Sequence, residues 1–202
     1  MTTGFWKAGN KATLLSAFFY FDISFMVWVL LGSLGLFIAK DLGLSPAQKG
    51  LMVATPVLAG ALLRVVVGML VDRLQPRLTG LICQVVVIAG LLIAWVVGIE
   101  TFAQVLLLGV LLGVAGAAFA VALPLASRWY PPQHQGTALG IAGAGNSGTV
   151  LASLFVPTLA VSLGWHNVLG LAALPLIAVF VLFFLAAKNS PACPPRKTKA
   201  EQ

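Results

Sequence analysis

The sequence predicts an all-α integral membrane protein, a bundle of six transmembrane helices, on three grounds. The first is composition: of 202 residues, 60% are hydrophobic and 8% are charged, and the mean hydropathy is +1.03. Soluble domains carry about 45–50% apolar and about 25% charged residues, so a soluble globule of this size could not hide so much apolar surface. The second is run length. The apolar runs are about 20 residues long, enough for a helix to cross the hydrocarbon core, and they lack the alternating ten-residue pattern of an outer-membrane barrel. The third is charge placement, because nearly all Lys and Arg flank the runs. The net charge of +7 therefore belongs to helix orientation and not to a nucleic-acid surface. Disorder is excluded by the same composition.

Span 1 covers Thr13–Ala39. It follows Lys7 and Lys11, but it is too long for a signal-peptide core and has no cleavage site, so it reads as a retained helix. Span 2 covers Ala47–Val71 and is opened by Ser45-Pro46, a helix-start pair. Span 3 covers Leu78–Gly98. Span 4 covers Phe102–Trp129 and stops before Pro131-Pro132. Span 5 covers Gln135–Leu163 and span 6 Asn167–Ala187. Residues 1–12 form an N-terminal segment, and residues 188–202 a basic, Pro-rich tail expected to be disordered. An N-terminus in the cytoplasm places Lys7, Lys11, Arg73, Arg77, Arg128, Lys188, Arg196, Lys197 and Lys199 inside and only Lys40 and Lys49 outside. That bias predicts a multi-pass protein of the cytoplasmic membrane with both termini in the cytoplasm.

Catalytic and metal chemistry find no support. Cys83 lies in an apolar run and Cys193 in the tail, and His134 and His166 fall at opposite membrane faces. No acid–base constellation and no Cys/His cluster forms, so neither an enzyme nor a metal or other cofactor is expected.

Two charges lie inside spans. Asp22 sits in the middle of Phe19–Phe25, and Arg64 lies within Leu62–Val66. A charge at mid-bilayer costs about 2.5–3.5 kcal/mol on insertion scales, which makes such a residue a functional candidate. Arg64 is eight residues from Asp72, about 12 Å of helix and close to half the hydrocarbon thickness. The alternative reading is a buried pair with Asp22 or a packing role. Asn146 in span 5 and Phe119 in span 4 reach the same depth. A guanidinium fork, an amide and an aromatic wall together suit a small planar anion. For Phe119 alone, ordinary packing explains the residue equally well.

Span 5 carries Gly136, Gly140, Gly143, Gly145 and Gly148 around Asn146. GxxxG spacing such as Gly136/Gly140 permits close helix approach, and Gly109/Gly113 in span 4 show the plain packing version. An amide set among glycines further suggests substrate meeting backbone. The stretch Gly140-Ile-Ala-Gly143-Ala-Gly145-Asn146-Ser-Gly148 resembles the nitrate signature of the nitrate/nitrite porter family, a branch of the major facilitator superfamily. The segment Gly68-Met-Leu-Val-Asp72-Arg73-Leu-Gln-Pro76-Arg77 resembles the superfamily's loop motif between spans 2 and 3. Leu62–Val65 and Phe21–Leu30 are similar to the family's second and first spans.

The resemblance implies one half of a major facilitator fold in which Arg64 clamps nitrate or nitrite. It further implies that Phe119, Asn146, Gly143 and Gly145 line the site, and that Asp72, Arg73, Arg77 and Arg128 form a cytoplasmic gate, with Asp72 paired to Arg128. The resemblance does not settle Asp22, which is a proton-coupling candidate on charge and depth alone, because uphill anion uptake against a negative potential needs a co-transported proton or an exchanged anion. Gln75 stands where the loop motif has Gly, so a different turn is expected there. The family has twelve spans and this chain supplies six. Three readings stand: pairing with a separately encoded second half, a homodimer around two Arg64 residues, or a truncated non-transporting fragment. A half-transporter for another small anion or solute is the alternative function.

Overall fold

The computed structural model describes residues 4–191. Cys193, Arg196, Lys197, Lys199 and Glu201, with most of the expected tail, lie outside the described residues. The chain is helical throughout and folds as six antiparallel spans. Span 1 is Lys11–Trp28, continued by the short helices Leu30–Ser33 and Gly35–Asp41. Span 2 is Pro46–Leu74 and span 3 Pro76–Val97. Span 4 is Phe102–Gly116 followed by Phe119–Ser127. Span 5 is Pro132–Gly143, a 3-10 turn at Ala144–Ser147, and Gly148–Leu163. Span 6 is Trp165–Ala186. A further helical turn, Phe5–Ala8, precedes span 1.

The ends follow local chemistry. Asn10 caps span 1 by accepting from Thr13 N at 3.0 Å. Ser45 and Gln48 form a reciprocal capping box at span 2, and Thr101 and Gln104 form another at span 4, each satisfying two orphan donors. Pro46, Pro76 and Pro132 sit at first helical positions, where no N–H is needed. Five spans are continuous enough to cross a membrane by length and hydropathy. Span 1 is the sixth crossing, made in pieces because its helix breaks after Trp28 and again at Leu34.

The start of span 1 and the end of span 6 lie on one face. Lys188 N donates to Thr13 Oγ1 at 3.1 Å, Thr13 Oγ1 donates to the Ala186 carbonyl at 3.4 Å, and Trp129 Nε1 donates to the Lys188 carbonyl at 2.7 Å. The ordered bundle therefore continues through Lys188 and Asn189, beyond the expected end at Ala187. On the opposite face Trp165 Nε1 donates to Asp41 Oδ2 at 3.0 Å, and Trp95 Nε1 to Asn167 Oδ1 at 3.3 Å. The apolar interior divides into two clusters, one per membrane half. Leu30, Leu91, Leu112 and Leu169 belong to one, and Leu14, Tyr20, Val121 and Phe183 to the other. Spans 2 and 4 pack closely: a Cβ on Gly109 would lie 3.1 Å from Thr55 Cγ2, so glycine sets their separation.

The loop at Gln75 corrects the sequence expectation. Its φ is +68°, the only positive value outside glycine among the described residues. The backbone keeps the turn that glycine usually serves, and Gln75 is held there by its neighbours. Its carbonyl accepts from Thr79 Oγ1 at 3.0 Å, and its Oε1 accepts from Asn189 Nδ2 at 2.7 Å. Such a backbone costs about 1–3 kcal/mol, and one lost hydrogen bond about 1 kcal/mol. Gln75→Gly is therefore expected to raise the thermal unfolding midpoint in detergent at a fixed scan rate. A lower midpoint would show that the Asn189 contact outweighs the strain.

Candidate functional site

The central arrangement begins at the break in span 4. Ala120 N bonds to the Ala117 carbonyl at 2.9 Å, three residues back, instead of reaching Gly116. The Gly116 carbonyl is thereby left for Arg64, whose Nη2 donates to it at 3.2 Å. The guanidinium carbon lies 5.2 Å from the centre of the Phe119 ring, a cation–π distance. Arg64 Nε is buried with no partner among the described residues. The guanidinium is thus anchored at one nitrogen and keeps donors to spare. Phe119 is 40% exposed, and its ring meets that of Phe21 at 5.8 Å between centres.

Trp28 was not singled out by the sequence, yet it wedges this arrangement in place. Its Nε1 donates to the Pro56 carbonyl at 2.8 Å. A Cβ on Gly60 would come within 3.0 Å of Trp28 Nε1, and one on Gly116 would run into the indole. Gly60 and Gly116 are small because Trp28 occupies the space, and the indole ties span 1 to the two spans that carry Arg64 and Phe119. The legible signal was a tryptophan in the interior of a span, where an N–H must find an acceptor.

Asp22 does not pair with Arg64, which removes the buried-pair alternative and leaves the packing one standing. It is 6% exposed, and its Oδ1 accepts from Ser147 Oγ at 2.7 Å. Ser147 closes the 3-10 turn of span 5, next to Asn146. Asn146 itself is exposed; its carbonyl accepts from Thr149 Oγ1 at 2.9 Å, and its side chain is not bonded to Arg64 or Phe119. The structure therefore brings Arg64 and Phe119 together directly, and separately joins Asp22 to Ser147, the neighbour of Asn146, across spans 1 and 5.

The glycines of span 5 divide by face. A Cβ on Gly145 would sit 2.8 Å from the Phe18 carbonyl and 3.0 Å from Asp22 N, and one on Gly148 would collide with the Asp22 carbonyl. Gly145, expected to line the site, is instead a packing residue that lets span 5 lie directly on the span 1 backbone. Gly136, Gly140 and Gly143 have open space around them. The GxxxG pair Gly136/Gly140 thus packs against nothing within this bundle.

On the basic face Arg128 Nη2 donates to Asp72 Oδ1 at 3.2 Å, the one ion pair among the described residues. Arg73 is exposed in the last turn of span 2 and takes no part in it. Arg77 is not at this pair either. Its Nη2 donates to the Phe184 carbonyl at 2.8 Å, and its guanidinium lies 5.4 Å from the Phe184 ring centre. Pro76 opens span 3 and turns the following side chain toward the end of span 6, so Arg77 braces spans 3 and 6 instead of joining Asp72.

Six antiparallel spans, broken in spans 1, 4 and 5, make a helical half-bundle of the kind found in secondary transporters. The family model described as Major Facilitator Superfamily matches residues 15–202, and the chain belongs to that superfamily. It is 34% identical over 187 residues to the "Probable nitrate/nitrite transporter NarK2" of Mycobacterium tuberculosis (strain ATCC 25618 / H37Rv), covering 91% of this chain and 47% of that protein. It is 34% identical over 158 residues to the "Nitrite extrusion protein" of Bacillus subtilis (strain 168), covering 78% of this chain and 39% of that one. The chain spans about half the length of the curated relatives it matches. Among solved structures it resembles a bacterial homologue of the human lysosomal transporter Spinster, inward-facing and occupied. That match has a TM-score of 0.75 at 21% identity and covers 88% of this chain and 44% of that one.

The contact between spans 1 and 5 makes a testable contrast. Gly148→Ala forces a methyl group into the Asp22 carbonyl and is expected to cut the yield of folded protein several-fold, whereas Gly143→Ala, which meets open space, is expected to leave it unchanged. Monodisperse yield by size-exclusion chromatography reads both, and equal yields would contradict the packing described.

Proposed function

We propose that the chain acts as the N-terminal half of a nitrate/nitrite transporter in the cytoplasmic membrane, with both termini in the cytoplasm. The observation that carries this reading is Arg64. It is a guanidinium deep in the bundle, anchored on the Gly116 carbonyl with a buried Nε left unpartnered. A half-exposed aromatic face lies beside it. That geometry fits a planar oxyanion gripped edge-on by the fork while the ring holds its plane. The names of the relatives point to nitrate and nitrite, and the Lys/Arg bias supports the orientation. Asn146 and Gly143, on the open side of span 5, are the proposed further lining. Asp72 and Arg128 are the proposed gate pair.

The proposed site needs a second wall. Leu62, Val65 and Phe119 are exposed beside Arg64, as are Gly136 and Gly140 on span 5. A second six-span half would cover them, whether as a separate chain, a second copy of this one, or the remainder of a longer polypeptide.

Arg64→Lys keeps the charge and removes the fork. With the second half supplied in a strain lacking other porters, labelled nitrate and nitrite uptake is expected to fall at least tenfold at matched expression. Wild-type uptake in the Lys variant would remove Arg64 from the site.

Asp22 is the proposed proton-coupling group. Its carboxylate accepts from Ser147 beside Asn146, and as an acid it becomes a donor, so its protonation changes what the 3-10 turn bonds to. Asp22→Asn keeps the size and the acceptor oxygen. It is expected to abolish uptake driven by an imposed pH gradient in proteoliposomes while sparing nitrate/nitrite counterflow. Unchanged pH-driven uptake would end the coupling role, and equal loss of both modes would make Asp22 structural.

A further inference from the structure

Far from Arg64, on the basic face, span 6 runs out against the start of span 3. Asn189 Oδ1 accepts from Arg77 N at 3.1 Å, and Asn189 Nδ2 is tied to Gln75. Both backbone groups of Lys188 are engaged, by Thr13 and Trp129. The backbone is thereby pinned while the ammonium of Lys188 has no acidic partner within ion-pair distance among the described residues. Arg77 bonds to the Phe184 carbonyl through one nitrogen only, and its Nε is buried and unpartnered. Between them lies a cavity of about 280 Å³ lined by Arg77, Leu185, Ala187, Lys188 and Asn189.

We propose that this cavity binds the phosphate headgroup of an anionic phospholipid. Two cations line it, Arg77 and Lys188, a pair that favours a phosphate. Leu185, which lines it, is 69% exposed, and Phe184, which Arg77 touches, and Leu78, next to Arg77 in sequence, are 52% and 48% exposed, apolar surface on which acyl chains would lie and which a free phosphate ion would leave bare. The site stands where the Lys/Arg bias sets the cytoplasmic leaflet, the leaflet whose anionic lipids attract basic groups at about 1 kcal/mol for each Lys or Arg. Basic pockets between spans on that side are where such headgroups bind. The occupied site would tie the end of span 6 to the start of span 3, with the lipid bridging Arg77 and Lys188. It does not depend on which solute the bundle carries.

Native mass spectrometry of the full chain, purified in a non-ionic detergent and given equal phosphatidylglycerol and phosphatidylcholine, tests the site. The wild type is expected to retain phosphatidylglycerol preferentially. Lys188→Gln and Arg77→Gln are each expected to lower the phosphatidylglycerol-to-phosphatidylcholine ratio roughly fivefold, the equivalent of one surface cation. Lys188→Arg is expected to keep it. The tail cations are present in every variant, so their contribution cancels. Lys188→Gln leaves the backbone bonds intact and is decisive by itself if Arg77→Gln fails to fold. An unchanged ratio in Lys188→Gln overturns the proposal. So does displacement of the lipid by excess inorganic phosphate, which would identify a site for the free ion.

Discussion

A guanidinium at mid-bilayer depth is the constraint around which the other central features are arranged. Burying it costs several kilocalories per mole unless its donors are met. An intact helix has no free carbonyl to offer, because each is already bonded one turn on. Span 4 supplies one by breaking at Ala117–Ala118, which releases the Gly116 carbonyl to Arg64. The break also turns Phe119 onto the guanidinium. With one hydrogen bond and one ring face, Arg64 is steadied but not saturated. An arginine meant only as structural glue would be expected to have its Nε met as well.

The same level holds the other breaks. Span 1 is interrupted after Trp28, and span 5 turns to 3-10 geometry at Ala144–Ser147. Irregular backbone at this depth survives only where it is buried in protein or lines a cavity, and the breaks of spans 4 and 5 are built on buried residues, among them Gly116, Ala117, Ala118 and Gly145. Gly145 and Gly148 press the turn of span 5 onto the span 1 backbone, and Ser147 meets Asp22 across that contact. The two apolar clusters sit on either side of this level. The bundle therefore consists of two well-packed halves joined through a polar, interrupted middle. In that arrangement, small rotations of one end relative to the other disturb the fewest apolar contacts.

The spans were legible because apolar run length and flanking charge are properties of the chain alone. Pro46 marked a helix start for the same reason, whereas Pro76 and Pro132, which open spans 3 and 5 two to three residues before the expected starts, had been read as loop residues. Depth along a helix was legible too, which is why Arg64 and Phe119 could be placed together from counting residues. Rotation about the helix axis was not. Gly143 and Gly145 look equivalent in sequence, yet only Gly145 faces span 1, because two residues turn a helix by about 200°. Asp22 could be assigned a depth but not a partner, since Ser147 is 125 residues away. The Gln75 turn was misjudged because backbone preference is local. The contacts that hold Gln75 at positive φ come in part from Asn189, at the far end of the chain.

The division of small residues on span 5 bears on how the proposed second half would meet this one. Its inner stripe, Ala142, Gly145, Gly148 and Ala152, is buried against span 1. Its outer stripe, Gly136, Gly140 and Gly143, meets open space and begins at the basic face. Lipid tails gain nothing from a glycine stripe, whereas another helix gains close backbone approach. The outer stripe flanks Asn146 on the same span, so a helix laid along it would come near the level of Arg64 and Phe119. The inner stripe is wedded to span 1 by direct backbone contact, so span 5 would move with its own half. Sliding would be confined to the glycine-smooth outer surface, where no interlocking side chain has to be withdrawn. Span 5 thus combines a fixed face toward Asp22 with a smooth face toward the proposed partner, and the residues at Arg64 depth lie between the two.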